Sequence, residues 1–262
     1  MVRADLHVHT TVSDGELDPA AVPATARQAG LEAVAITDHD RIQPDLDAPV
    51  VRRDGVTVVH GIELRVDAGK QRVDLLGYGL DPTPDLEAAC ERIQRDRIER
   101  ARAIVDCVED RLGVTVDIEF HPGVGRPHIA RAIDASDAEL GYQEAFETLI
   151  GDDDPCFVSR EIPAFETGRR LLGEAAAFVG LAHPLRYRDP DHALALAADL
   201  DAVELAYPYH HDADRRPVRR AIDRHGLLAT GGSDAHGRRL GIAGLDAEQF
   251  ERVRKRLPHP RR

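Results

Sequence analysis

Residues 5–15 read Asp5-Leu6-His7-Val8-His9-Thr10-Thr11-Val12-Ser13-Asp14-Gly15. Polar and apolar residues alternate from Asp5 to His9. That is the period of a strand, and it puts His7 and His9 on one face. Ser13-Asp14-Gly15 has the composition of a turn, with Asp14 at its tip. Two imidazoles side by side at a strand end, with a carboxylate a few residues on, can begin a metal site. Taken alone, a chance His-x-His pair on a half-exposed strand fits the stretch equally well.

Three later blocks shift the balance. Thr37-Asp38-His39-Asp40 follows the apolar run from Ala33 to Ile36. His60-Gly61-Ile62-Glu63 follows Val56 to Val59, and Ser233-Asp234-Ala235-His236 follows Leu227 to Thr230 through two glycines. Each short apolar run ends in His, Asp or Glu. In barrels of parallel strands, function collects at the C-terminal strand ends. Purely structural roles do not account for four such coincidences.

In order, these blocks resemble the polymerase and histidinol phosphatase (PHP) family of metal-dependent phosphoesterases. The resemblance runs from Ala4 to Gly241, with a looser middle. Strand-helix alternation by itself gives an α/β class with parallel strands. The resemblance implies the closure: an irregular seven-stranded (β/α) barrel.

The alternation is broken once. Pro82 and Pro84 mark a boundary, and from Leu86 to Leu112 apolar residues recur mostly at spacings of three or four, the mark of a long amphipathic helix. Two shorter helical patterns, Pro127 to Ile133 and Tyr142 to Ile150, follow. Residues 84–155 therefore read as a helical insertion, a cap subdomain, and residues 1–83 and 156–262 as the barrel. Strands are expected at Val34 to Ile36, Val56 to His60, Val179 to Ala182, Val203 to Leu205 and Leu227 to Thr230, with alternation resuming near Phe157-Val158. Leu64 to Val66 and Val73 to Leu76 read as a hairpin. Asp45 to Val51 is ambiguous. Asp18-Pro19 reads as a helix start, and Gly30 as its stop.

The resemblance implies a cluster of two to three divalent ions. His7, His9, Glu63 and Asp234 would hold one. Glu63 would bridge to a second that His183 also binds. Asp14, His39 and His236 would hold the third. Imidazole suits Zn, Fe and Mn, and carboxylates can bridge ions. Mn is the favoured ion, with Zn, Fe and Mg also compatible. Asp74 stands where many relatives carry His, eleven residues after the glutamate; it reads either as a ninth ligand or as a solvated strand residue. His60 should point away from Glu63 and be packed and hydrogen-bonded. Asp38 and Asp40 should orient His39 rather than bind an ion.

Gly125-Arg126-Pro127-His128-Ile129-Ala130-Arg131 resembles a block of one PHP subgroup that acts on nucleoside bisphosphates or RNA 5′ ends. It implies that Arg126 and His128 meet substrate phosphates, with Arg160 as a further contact; the planar guanidinium fork suits a phosphate. Asp154 stands where the subgroup usually has a lysine, which would weaken a second phosphate site. His210 and His211 read as site-mouth or solvated loop residues. Arg186 and Tyr187 are further candidate contacts.

The chain has 262 residues, 42% of them hydrophobic, and a formal net charge of −13. No run is long and apolar enough for a membrane span, and no signal-peptide pattern opens the chain. Lys70 and Lys255 are the only lysines beside many arginines. This acidic, lysine-poor balance suits a high-salt cytoplasm, or an arginine-favouring GC-rich genome. It argues against a broad nucleic-acid surface. Of the three cysteines, Cys90 and Cys107 fall in a helical pattern and read as core thiols in a reduced cytoplasm. No Ser-His-Asp order or glycine-rich phosphate loop appears.

The function these residues imply is hydrolysis of phosphate esters of nucleotides or short RNA 5′ ends by a metal-bridging hydroxide, with no other catalytic group. The alternatives are a small-molecule phosphatase of the histidinol-phosphate type and a non-catalytic metal-binding regulatory module. The sequence leaves the oligomeric state open.

Overall fold

The alternating stretch at the start forms β1 (Ala4–Val8), buried along its whole length. A computed structural model describes residues 1–209 and 212–260. After β1 come β2 (Ala33–Ile36), β3 (Val50–Arg53), β4 (Val56–Asp67) and β5 (Arg72–Tyr78), then β6 (Phe178–Leu181), β7 (Ala202–Ala206) and β8 (Leu228–Gly231). The main path of the sheet is β1-β2-β4-β5-β6-β7-β8, with β3 paired to β4 outside it. The two ends of the path meet. His9 N donates to Ala235 O at 3.0 Å, and Val8 bridges Ala235 in parallel. Gly232 permits this approach, because a Cβ there would run into the His7 backbone. The sheet therefore curls into an irregular seven-stranded barrel of the expected α/β class.

Its strands are not all parallel: the alternation suggested parallel pairing, and the hairpin read beside it supplies an antiparallel strand. β1, β2 and β4 run parallel, and so do β6, β7 and β8, but β5 is antiparallel to both β4 and β6. The cause is local. The turn at Ala68–Gln71 has Gly69 at φ 79° and an Asp67 side chain that accepts from Gly69 N. A turn that tight returns the chain beside itself, whereas a parallel neighbour needs a crossover connection. β4 is also one continuous strand of 12 residues, merging the expected third strand with the first arm of the hairpin. The ambiguous segment ends in β3, antiparallel to β4. Phe157 and Val158 form no strand.

Helices α1 (Val22–Gln28), α2 (Pro84–Leu112), α3 (Arg126–Asp134), α4 (Tyr142–Thr148), α5 (Phe165–Ala175), α6 (Pro190–Leu196), α7 (Arg216–His225) and α8 (Ala247–Arg254) follow the strands or interrupt them. Asp18 caps the turn before α1 by accepting from Ala20 N, and Asp246 caps α8 by accepting from Gln249 N. One buried cluster joins Leu6, Ala35, Val59, Leu76, Tyr78 and Phe178 from successive strands. Burial of such side chains is worth about 1.5–3 kcal/mol each and fixes the strand ends that follow. Among the described residues no helix is long and apolar enough to cross a membrane.

The chain divides into two compact units, Met1–Cys90 with Ile162–Arg262, and Glu91–Glu161. The second has its own core, in which Ile104 and Val108 of α2 meet Ile129 and Ile133 of α3 and Ala145 of α4. Cys107 is not the core thiol expected of it: it forms a disulfide with Cys156, Cα–Cα 5.6 Å. Helical spacing identified the buried stripe of α2, but not that the chain returns 49 residues later with a second cysteine against it. Cys90 is buried, as read.

Candidate metal centre

The nine ligand candidates come together at the strand ends of the first unit. His7 lies in β1 and His9 just beyond it; His39 follows β2, Glu63 lies in β4, Asp74 in β5, His183 after β6, and Asp234 and His236 after β8. They form three groups, each with potential ligand atoms within 4.8 Å of one another: His9, Asp14, His39 and His236; His7, His9, Glu63 and Asp234; and Glu63, Asp74 and His183.

Glu63 is the hub. Its Oε2 lies 2.8 Å from His39 Nδ1 and 3.3 Å from both His7 Nε2 and His9 Nε2, while its Oε1 meets His183 Nε2 at 3.0 Å. Asp234 also divides its oxygens. Oδ1 faces His9 Nε2 at 3.1 Å and His7 Nε2 at 3.5 Å. Oδ2 accepts from Tyr207 Oη at 2.8 Å and Arg186 Nη1 at 2.9 Å. His236 Nε2 lies 3.4 Å from Asp14 Oδ1, and His39 Nε2 3.9 Å from Asp14 Oδ2. Three non-glycine residues here have positive φ: Asp40 and Asp234 at 51° and His183 at 29°. Such backbone is costly and persists only where the surroundings enforce it.

These residues fit divalent ions. His7 Nε2, both ring nitrogens of His9 and Glu63 Oε2 are buried without a well-aligned hydrogen bond, although all but His9 Nδ1 lie in ion-pair contact within the cluster. A buried polar atom left unpaired costs free energy that an ion would recover. The proton equilibria agree. Burial pushes the Glu63 carboxyl up, but His39 and His7 hold it well below the usual carboxylate range. Burial likewise opposes charge on His39, yet Glu63 and Asp14 raise its imidazole to about 9. His9 is pushed down, by burial first and then by His39. Without ions, protons supply the positive charge that these carboxylates demand.

Sequence reasoning missed the supports beneath this layer. Glu204, fully buried in β7, accepts from the His183 backbone N at 2.8 Å and faces His7 Nδ1 at 3.3 Å, which turns His7 Nε2 towards Glu63. Asp5 accepts from Ser233 N, Ser233 Oγ and Gly241 N, tying β1 to the loop that carries Asp234. The only sequence signal for either was an acidic residue inside a strand. Asp38 accepts from Thr10 N, Thr10 Oγ1 and Ser13 Oγ, so it shapes the His9-to-Asp14 loop rather than orienting His39 as expected. His60 is buried as expected, but neither ring nitrogen has a hydrogen bond; it is packed, not bonded.

A cleft of about 280 Å³ opens over the ligands, lined by His39, His183, Asp234 and His236 and by Arg65, Arg72, Arg186 and Tyr187. Asp74 is 1% exposed, and Arg65 grips it with two 2.7 Å bonds.

Arg126, His128 and Arg160 belong to the second unit. Arg126 starts α3, donates to Ile150 O and Asp152 Oδ1, and lies over the Phe157 ring. His128 Nδ1 accepts from Gly125 N and closes the helix cap. Arg100, on α2, was not anticipated. Burial first, and then Arg126, Arg160 and Arg97, lower its guanidinium to about 10. His210 and His211 lie outside the described residues.

A curled α/β sheet that gathers imidazoles and carboxylates at its strand ends, beneath a cleft walled by arginines, is the architecture of a metal-dependent hydrolase acting on anionic esters. The sequence profile of the PHP domain matches residues 5–151. The chain belongs to the PHP family, and it is a metal-dependent phosphoester hydrolase. It is 30% identical over 253 residues to the 3′,5′-nucleoside bisphosphate phosphatase of Chromobacterium violaceum, covering 90% of this chain and 88% of that protein. It is 30% identical to the phosphoribosyl 1,2-cyclic phosphate 1,2-diphosphodiesterase of Eggerthella lenta, over 89% of this chain and 94% of that one. It is 28% identical to the 5′-3′ exoribonuclease of Haemophilus influenzae, over 89% and 90% of the two chains. A protein from Bifidobacterium adolescentis, assigned as a metal-dependent phosphoesterase, has the same fold, with a TM-score of 0.80 at 24% identity over 98% of this chain and 97% of its own.

Proposed function

We propose that the protein hydrolyses phosphate esters of nucleotides, nucleoside 3′,5′-bisphosphates among them, or of the 5′ ends of short RNA. The observation that carries this reading is the convergence of unspent buried ligand atoms on Glu63 Oε2, beneath an arginine-walled cleft. His7, His9, Glu63 and Asp234 would hold one ion, and His9, Asp14, His39 and His236 another. Mn suits this mixture best, with Zn, Fe or Mg as alternatives. Bound divalent ions lower the pKa of water and neutralise charge on phosphoryl oxygens. The chain's own residues do the rest. Glu204 fixes the His7 ring. Tyr207 and Arg186 hold Asp234 Oδ2, so that Oδ1 stays on the ligand side.

Substrate choice is assigned to the second unit, through Arg126, His128 and Arg160, with Arg97 and Arg100 beside them. The support is electrostatic: after burial, Arg126, Arg160 and Arg97 are close enough to lower Arg100, which favours an anion among them. The relatives named for nucleoside bisphosphates and for RNA support the substrate class. We assign the protein to the cytoplasm and, from its acidic, lysine-poor composition, to high salt. The retention of eight of the nine expected ligands disfavours a regulatory module that has lost catalysis.

The test is hydrolysis with Mn at high salt, read as orthophosphate released from the small esters and as orthophosphate or mononucleotide released from the RNA. The substrates are a 3′,5′-bisphosphate, a 5′-monophosphate, a 5′-phosphorylated short RNA and histidinol phosphate. Nucleotide substrates should be hydrolysed fastest, and Asp234→Asn should remove most turnover while leaving thermal unfolding intact. A metal-loaded wild type that cleaves histidinol phosphate alone, or none of the four, would overturn the reading.

A further inference from the structure

The third ligand group differs from the other two in what its carboxylate already holds. Both oxygens of Asp74 are taken: Arg65 Nε donates to Oδ1 and Nη2 to Oδ2, each at 2.7 Å. The two residues stand directly opposite in the antiparallel β4–β5 pair. Bidentate guanidinium–carboxylate pairs are among the strongest charge-assisted hydrogen bonds. The backbone fixes both partners, since Arg65 N donates to Asp40 Oδ1 at 2.9 Å and Asp74 N donates to Tyr187 Oη at 2.8 Å. A divalent ion held by Glu63, Asp74 and His183 would have to share an Asp74 oxygen with this fork and weaken its bonds. It would also bring two positive charges up to a guanidinium that cannot deprotonate. His183 Nε2, the imidazole of the group, is already bonded to Glu63 Oε1.

Arg65 is not merely Asp74's counter-ion. It lies two residues after Glu63 and so shares its face of β4. It lines the same cleft as His39, His183, Asp234 and His236, and its side chain stays 39% exposed. The fork uses Nε and Nη2, so Nη1 stands outside it. The buried fork therefore fixes the guanidinium while leaving donors towards the cleft.

We propose that Arg65 is a substrate-binding residue that donates to phosphate oxygens, and that the Arg65–Asp74 pair stands where a third divalent ion would otherwise sit. The centre then works with two ions and one fixed guanidinium, and Asp74 is the positioning residue for Arg65 rather than a ligand. The proposal rests on the phosphoesterase reading and adds to it a charge that chelators cannot remove.

Two measurements test it without turnover: Mn bound per chain after equilibrium dialysis, and calorimetric titration of orthophosphate into the Mn-loaded protein. Wild type and Asp74→Asn should each hold two ions, while Arg65→Gln, which frees the carboxylate, should recruit a third. The double variant Arg65→Gln with Asp74→Asn should keep two ions and bind orthophosphate about ten-fold more weakly, the loss expected for one charge-assisted bond. Arg65→Lys, which keeps the charge but loses the fork, should fall between and covers the case in which the neutral variants fold poorly. Three ions in wild type and two in Asp74→Asn would overturn the proposal. So would orthophosphate binding unchanged in both the double variant and Arg65→Lys. Wild type that binds orthophosphate as expected but cleaves no ester would instead overturn the activity reading.

Discussion

Glu204 Oε1 lies 3.3 Å from His7 Nδ1, with both side chains fully buried. The carboxylate settles which imidazole nitrogen carries the proton and leaves Nε2 to face Glu63 and Asp234 at 3.3 and 3.5 Å. Carboxylates behind ligating histidines raise ligand basicity and fix ring orientation; losing one costs about 10–100-fold in metal affinity. Glu204→Gln should therefore weaken Mn binding by about that factor. It should also loosen the His183 backbone, whose N donates to Glu204 Oε2. Competition with a chelator of known affinity measures the loss, and retention equal to wild type would show that Glu204 is only a packing residue.

Much of this centre was legible because period-two alternation and short apolar runs locate strand ends. Seven of the ligand candidates lie in or just after β1, β2, β4, β6 and β8. The supports were not legible for a matching reason. Glu204 and Asp5 sit inside strands, where one acidic residue in an apolar run gives no hint of its partner; those partners, His7 and Ser233, are 197 and 228 residues away. Arg65 was hidden the same way. The hairpin between β4 and β5 was readable, but the register that sets Arg65 against Asp74 was not, and the register decides what Asp74 does. A pairing slip of one residue would have turned the carboxylate to the other face.

His60 carries a pH dependence of its own, outside the ligand cluster. Burial lowers its imidazole to about 4 from 6.5, with Asp81 acting weakly in the other direction. Between those values the unfolded chain holds the extra proton, so stability falls as pH drops through the window. The loss is complete below pH 4 and amounts to about 3 kcal/mol, of which about 2 kcal/mol is gone at pH 5. His60→Leu should remove this loss, and the difference isolates it from every other group. Urea unfolding of both proteins at pH 7.5 and pH 5 checks it. Parallel losses would mean that the histidine is protonated within the fold.

The Cys107–Cys156 bridge should stabilise the second unit against local unfolding. A loop of this length contributes about 4 kcal/mol in the chain-entropy account. Reduction, or Cys107→Ser with Cys156→Ser, should speed proteolysis within residues 91–161 while Mn affinity in the first unit stays unchanged. Limited proteolysis with and without reductant, read by mass spectrometry, follows both. Equal cleavage rates would mean that the bridge adds nothing to the core of Ile104, Val108, Ile129 and Ile133.

Arg126 has two competing occupations. It stacks on Phe157 at 5.6 Å and donates to Ile150 O at 3.2 Å, which is a structural role. It also donates to Asp152 Oδ1 at 2.8 Å, an aspartate that is 71% exposed and easily displaced. An exposed ion pair of this kind is worth at most about 1 kcal/mol. If Arg126 binds substrate phosphate, Asp152 is its competitor, and Asp152→Asn should lower KM for a 3′,5′-bisphosphate by up to about five-fold with little change in kcat. Arg126→Ala should raise KM about ten-fold or more through loss of a charge-assisted bond. The effect of Asp152→Asn should vanish in the Arg126→Ala background, because the competition needs both partners. Steady-state kinetics on the four proteins gives the coupling directly. Additive effects, or a KM untouched by Asp152→Asn, would leave Arg126 as the anchor of α3 and move phosphate recognition to Arg100 and Arg160.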